Sequence, residues 1–312
     1  MSYEKGSRMH IDTVAIVGRG AVGLMYGSIM AEHLGPDAVV FAMDDERFCR
    51  HAGEQVTVNG APLAVRTIPM SEAEPVGLVI LAVKAGGLDA AIESMAPLVG
   101  PNTVIESLLN GITSEERIAA RYGWEHTVLG ICQGMDAVYL DGALTFSHAG
   151  EIRFGAAPGT AAGVVEALDD LYTRAGVPHV VEADPRRRMW VKLMLNVGIN
   201  QTCMAYGGTY GSASEPGSDQ NRCFIAAMRE ALAVGQAEGV AMDEADLTEM
   251  ATLIASLDPA GMPSMAQDRI ARRRTEVEEF SGTICRLAAK HGILVPTNEW
   301  LYRRIREIES SW

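Results

Sequence analysis

The run Gly18-Arg19-Gly20-Ala21-Val22-Gly23 has the spacing of a phosphate-cradling turn, GxGxxG, and it lies between an apolar β-branched run and a helical pattern. In that context Gly18 permits the tight turn, Gly20 lets a pyrophosphate approach the backbone, and Gly23 lets helix and strand pack closely. The helix start offers backbone N–H groups and a partial positive charge to phosphates. A dinucleotide is the ligand this arrangement suits, and a ligand-free glycine turn is the alternative. Further along, Lys192, Asn196 and Asn200 fall four residues apart, on one face of a helix otherwise rich in Leu, Met and Val. A cation and two amides there need polar partners, and a ligand site supplies them.

Other polar residues stand where open α/β sheets bind ligands, beyond the carboxyl ends of strands. Asp44 and Asp45 follow the second strand pattern, where an acidic side chain would hydrogen-bond the adenosine ribose of NADH. Arg47, close by, is the residue type that a 2′-phosphate wants, so NADPH stays open. Lys84 ends a strand and can offer positive charge to the cofactor or to a substrate carboxylate. Asn110 ends the next and can donate and accept near the nicotinamide ribose or the substrate. Glu276 follows Arg272-Arg273-Arg274-Thr275, a run whose plain reading is a solvated helix face.

The elements that must position these residues can be read from periodicity. Val14–Val17, Val39–Met43, Leu78–Val83, Thr103–Leu108 and Thr127–Ile131 are apolar runs separated by helical stretches such as Ala21–Leu34 and Leu88–Met95. That alternation predicts a parallel sheet covered on both faces. Between Val138 and Gly155 the pattern becomes antiparallel, then a helix near Ala161–Ala175 and a strand at His179–Val181 follow. Beyond Asp184-Pro185 only helical stretches remain: 186–206, 217–239, 243–257, 264–291 and a shorter one near the C-terminus. The fold class is α/β, with a Rossmann-type dinucleotide-binding domain over 1–182 and an all-helical substrate and catalytic domain over 183–312.

Composition narrows the partners. With 312 residues the chain has room for two cores, and 48% apolar and 21% charged residues are a globular balance. A net charge of −14 argues against nucleic acid and anionic membrane, which reward positive surface. No apolar run is long enough to span a bilayer, and Met1–His10 carries no secretory h-region. The five cysteines (Cys49, Cys132, Cys203, Cys223, Cys285) are scattered and form no CxxC pair, which points to a reduced cytoplasmic protein with no metal site.

Taken in order, Val83-Lys84-Ala85, Leu108-Leu109-Asn110-Gly111, Trp190-x-Lys192-x-x-x-Asn196-x-x-x-Asn200, Ser264-Met265-x-Gln267-Asp268, Thr275-Glu276 and His291-Gly-Ile-Leu-Val-Pro296-x-Asn298 resemble the ketopantoate reductase (2-dehydropantoate 2-reductase) family over nearly the whole chain. The resemblance implies hydride transfer from NADPH to the ketone of ketopantoate, giving pantoate for pantothenate and coenzyme A synthesis. It makes Lys192 the general acid that protonates the carbonyl oxygen, and Glu276 the acceptor of a hydrogen bond from the substrate hydroxyl. Ser264 would bind the substrate carboxylate, while Asn196 and Asn200 would orient the substrate. The family contains monomers and dimers, which leaves a homodimer open.

Three positions depart from the family pattern. Leu109 stands where glutamine is common, Gly261-Met262-Pro263 precedes Ser264 where some members place an asparagine, and Asp44 occupies the region of a 2′-phosphate-binding arginine. Another branched 2-oxo acid is therefore an alternative substrate, and a dinucleotide-binding sensor without turnover is the non-enzymatic alternative.

Overall fold

Along Val14–Val17 the side chains alternate between two cores: Val14 and Ile16 pack on one side of the sheet, Ala15 and Val17 on the other. Such double burial is what a central parallel strand requires. The computed structural model describes residues 9–51 and 53–312. Five parallel strands form the sheet in the order Thr67–Pro69, Val39–Met43, Val14–Val17, Leu78–Leu81, Val104–Ser107. The chain first steps outward from Val14–Val17, then returns to its other side at Leu78–Leu81. That reversal creates a switch point at the carboxyl ends of these two strands, next to Gly18.

A second layer of strands extends this unit. Val128–Met135 runs antiparallel to Ala149–Ala156, which pairs in parallel with His179–Val181. The Val164–Arg174 helix buries Val164, Ala167, Leu168, Leu171 and Tyr172. Short strands at Thr57–Val58 and Ala61–Pro62, which the sequence pattern does not reveal, pair with the Val138–Leu140 and Ala143–Thr145 hairpin. The chain divides into two compact units: residues up to Leu109 with Thr113–Pro185, and Asn110–Ile112 with Arg186–Trp312.

The second unit is all helical: Pro185–Tyr206, Tyr210–Ser214, Asp219–Ala237, Glu244–Ser256, Ser264–Ile270, Thr283–His291 and Pro296–Ser310, with a π-helical turn at Glu278–Gly282. Side-chain caps mark several starts, with Ser218 accepting from Asn221 N–H and Asp243 from Ala245 and Asp246 N–H. Phe224, Met228, Phe280, Leu301 and Ile305 are among its fully buried side chains. Among the described residues no helix is long and apolar enough to cross a membrane.

Two expectations need correction. The 264–291 stretch is not one helix. Arg272 has φ +50°, and both the N–H and the hydroxyl of Thr275 donate to Glu309 (2.8 and 2.7 Å), so the arginine run is an ordered break rather than a helix face. The last helix has 15 residues and is no short appendage. At the start of the Pro185–Tyr206 helix Arg186 donates to the Glu238 carbonyl (2.9 Å), and Arg187 to the Ala241 carbonyl (2.8 Å) and to the buried Asp246 carboxylate (2.5 Å).

One buried charge stands out in the first unit. Glu106 on Val104–Ser107 has no exposure; the Tyr172 hydroxyl donates to its Oε2, while Oε1 has no partner among the described residues. Desolvation raises its pKa from 4.5 to about 8, helped by the charge of Glu115 and opposed by the Tyr172 hydrogen bond. Tyr26 also lies within electrostatic reach of this carboxyl. The folded unit thus keeps a proton that the unfolded chain sheds near pH 4.5. Stability from this group is complete below that pH and falls as pH rises to about 8, by at most about 1.4 kcal/mol per pH unit. Glu106→Gln should flatten that decline in urea titrations run between pH 5 and 9. An unchanged slope in the variant would mean that Glu106 is ionised in the fold.

Candidate functional site

In the first unit the glycine turn forms as its spacing requires. Gly18 has φ +126°, and a Cβ there would lie 2.4 Å from the Ala82 carbonyl oxygen, so only glycine lets the turn pass this neighbouring strand end. A Cβ on Gly23 would lie 2.1 Å from the Gly18 oxygen. At Gly20 a Cβ would meet nothing within 4 Å, which leaves open space above the turn. Ala21 and Val22 begin the Ala21–Leu34 helix, and no side chain caps its start. The Nε of Arg19 is buried without a hydrogen-bond partner among the described residues. Open space, uncapped N–H groups and an orphaned cationic donor fit the diphosphate of a dinucleotide.

Asp44 follows the Val39–Met43 strand and starts the Asp45–His51 helix. Its carboxylate accepts the Arg47 N–H at 2.9 Å and pairs with the Arg47 guanidinium at 3.4 Å. It remains partly exposed, so an oxygen can still meet a ribose diol. Arg47, the candidate partner for a 2′-phosphate, is already engaged. Lys84 lies beyond the Leu78–Leu81 strand and opens the short turn Ala85–Gly87, its carbonyl accepting Gly87 N–H at 2.8 Å. Leu109 is buried in the first unit's core and contributes packing where a glutamine would contribute a polar contact.

In the second unit the separated polar residues come together. Asn110 is three positions past Ser107, beyond the strand it was expected to end, and packs with the helices. Gly111, with φ +103°, turns the chain immediately afterwards against Glu279. The Asn110 Nδ2 donates to Glu276 Oε2 at 2.8 Å, and the Lys192 Nζ donates to Asn110 Oδ1 at 3.0 Å. Asn196 and Asn200 lie on the same helix as Lys192, with Asn200 Nδ2 donating to Asn196 Oδ1 at 3.1 Å. Ser264 Oγ and Met265 N–H both donate to Asn200 Oδ1 (3.0 and 3.2 Å). Glu276 belongs to the ordered break between Ile270 and Glu278 and is half-buried.

The result is two hydrogen-bonded sets that share one helix: an ammonium joined to a carboxylate through Asn110, and a row of amides ending at the Ser264 hydroxyl. Such an arrangement can deliver a proton and hold hydroxyl and carboxylate functions of a small molecule. Two residues with buried amides, Gln201 and Asn298, were not picked out as functional. Gln201 directly follows Asn200, and a polar residue at a core-facing helical position was the available signal.

The sequence profile of the family "Ketopantoate reductase PanE/ApbA" matches residues 14–159, and that of its C-terminal domain, "Ketopantoate reductase PanE/ApbA C terminal", matches residues 184–309. The 2-dehydropantoate 2-reductase of Vibrio cholerae is 26% identical over 96% of this chain and 98% of its own length. That of Caulobacter vibrioides is 30% identical, covering 92% of this chain and 95% of its own. Among solved structures, a complex of D-mandelate dehydrogenase with NADH superposes with a TM-score of 0.84 at 21% identity, over 96% of this chain and 99% of that one. With both of its halves matched, and a relative at 30% identity over nearly its full length, this chain belongs to the ketopantoate reductase family of oxidoreductases.

Proposed function

We propose that the protein reduces the ketone of a 2-oxo acid, with ketopantoate as the first substrate, using NADH or NADPH. The observation that carries this reading is the line Lys192–Asn110–Glu276, which joins a proton donor to a carboxylate through one amide. The relatives named 2-dehydropantoate 2-reductase, which match nearly end to end, support it. A bound dihydronicotinamide supplies the hydride. Gly18, Arg19, Gly20, Ala21, Val22 and Gly23 would hold its diphosphate, Asp44 its adenosine ribose, and Lys84 a further anionic group.

Lys192 donates a proton to the carbonyl oxygen, so that no alkoxide has to build up. Asn110 keeps the ammonium and the Glu276 carboxylate in place through opposite ends of one amide. Glu276 accepts a hydrogen bond from the substrate hydroxyl, Ser264 binds the substrate carboxylate, and Asn196 and Asn200 orient the molecule. Pantoate made this way would feed pantothenate and coenzyme A synthesis. Because Leu109 is buried and offers no polar contact, a branched 2-oxo acid other than ketopantoate is the second reading.

Lys192→Ala should lower kcat about 10²–10⁴-fold, the usual worth of a positioned proton donor, with a much smaller change in KM. An undiminished kcat would remove Lys192 from the chemistry. Gly20→Ala should leave Tm unchanged, since its Cβ meets nothing within 4 Å, yet weaken dinucleotide binding measured by fluorescence titration. Tight binding by that variant would place the diphosphate elsewhere. Asp44→Ala should weaken NADH more than NADPH; equal losses would deny Asp44 a role in reading the ribose.

A further inference from the structure

The segment that carries Glu276 leads into the π-helical turn Glu278–Gly282, and the turn leaves one backbone donor out of its ladder. Phe280 N–H donates to the Glu276 carbonyl at 3.2 Å, an ordinary four-residue step. Gly282 N–H reaches back five residues, to the Val277 carbonyl at 3.0 Å. Ser281 N–H lies between them and bonds to neither carbonyl. It donates instead to Oε1 of Gln201, at 3.1 Å.

Gln201 is fully buried on the Pro185–Tyr206 helix, one residue past Asn200. Its amide cannot flip without loss, because Nε2 donates to the Val197 carbonyl at 2.8 Å and so leaves the oxygen for Ser281. The Ser281 side chain is held too: its hydroxyl donates to Asn298 Oδ1 at 3.2 Å, and Asn298 Nδ2 donates to Glu230 Oε2 at 2.8 Å. The helix that presents Lys192, Asn196 and Asn200 therefore also anchors the segment that presents Glu276.

We propose that Gln201 is a positioning residue: by accepting the Ser281 N–H that the π-turn leaves over, it fixes the register from which Glu276 reaches Asn110 and, through it, Lys192. The inference rests on the roles given above to Glu276 and Lys192. Without the acceptor, the buried N–H favours the regular ladder, Ser281 to Val277. Removing one residue from the turn rotates the flanking segments by about 100° relative to each other, which carries Glu276 away from Asn110.

Two variants test this. Gln201→Leu removes the acceptor. Gln201→Glu keeps an acceptor for the Ser281 N–H in either protonation state, and while protonated its hydroxyl can also replace the amide's bond to the Val197 carbonyl. The readouts are kcat and KM for 2-oxo acid reduction across pH, and amide hydrogen exchange over residues 276–283. Gln201→Leu should lower kcat about ten- to a hundredfold, as expected for a misplaced catalytic group, and leave dinucleotide affinity unchanged. Combined with Glu276→Ala it should add little further loss, because both remove the same contact. Gln201→Glu should keep kcat near that of the wild type at acid pH and leave exchange over 276–283 slow, and this rescue carries the test if Gln201→Leu does not fold; a Gln201→Glu protein as impaired as expected for Gln201→Leu would overturn the proposal.

Wild-type kcat in Gln201→Leu, or losses that multiply with those of Glu276→Ala, would overturn the proposal. If Glu276→Ala itself keeps full turnover, the role given to Glu276 fails separately. Hydrogen exchange still decides the anchoring: faster exchange over 276–283 in Gln201→Leu supports it, and unchanged exchange overturns it.

Discussion

A single side-chain amide joins the ammonium and the carboxylate of the candidate site. An ammonium can only donate and a carboxylate can only accept, so Asn110 has one orientation that serves both: oxygen to Lys192, nitrogen to Glu276. Three separate pieces of chain must converge for this. Asn110–Ile112 crosses into the helical unit, the Pro185–Tyr206 helix brings Lys192, and the irregular stretch after Ile270 brings Glu276. Much of the local architecture serves that convergence. Gly111 turns the chain directly after Asn110, Glu309 holds the Thr275 backbone beside Glu276, and Asn200 collects the hydroxyl of Ser264 at the other end of the row.

The first unit answers to a different constraint, the close approach of backbone to backbone at the sheet's switch point. Gly18 and Gly23 sit so near neighbouring carbonyl oxygens that no side chain fits at either position. What remains above the turn is open space at Gly20 and an Arg19 nitrogen without a hydrogen-bond partner among the described residues. The same unit carries a cost in the buried Glu106, whose second carboxyl oxygen has no hydrogen-bond partner among the described residues.

Much of this was legible in the sequence where one pattern dominated. The strands Val14–Val17, Val39–Met43 and His179–Val181 and the helix Ala21–Leu34 run where the apolar pattern placed them. The four-residue spacing of Lys192, Asn196 and Asn200 translates directly into one helical face. The stretch from Ser264 to His291 was not legible, since its composition suits a helix throughout. It is broken by long-range bonds, Thr275 to Glu309 and Ser281 to Gln201, that no local pattern encodes. The short strands at Thr57–Val58 and Ala61–Pro62 escaped for a similar reason: two residues carry no period.

The most direct test of the central claim is kcat/KM for ketopantoate reduction by the wild-type protein, measured with NADH and NADPH side by side. Turnover that depends on the 2-oxo acid, with NADH at least equal to NADPH, is the predicted result: it follows from the Lys192–Asn110–Glu276 line and from Asp44 engaging Arg47. Tight dinucleotide binding with no oxidation across a panel of branched and aromatic 2-oxo acids would contradict it.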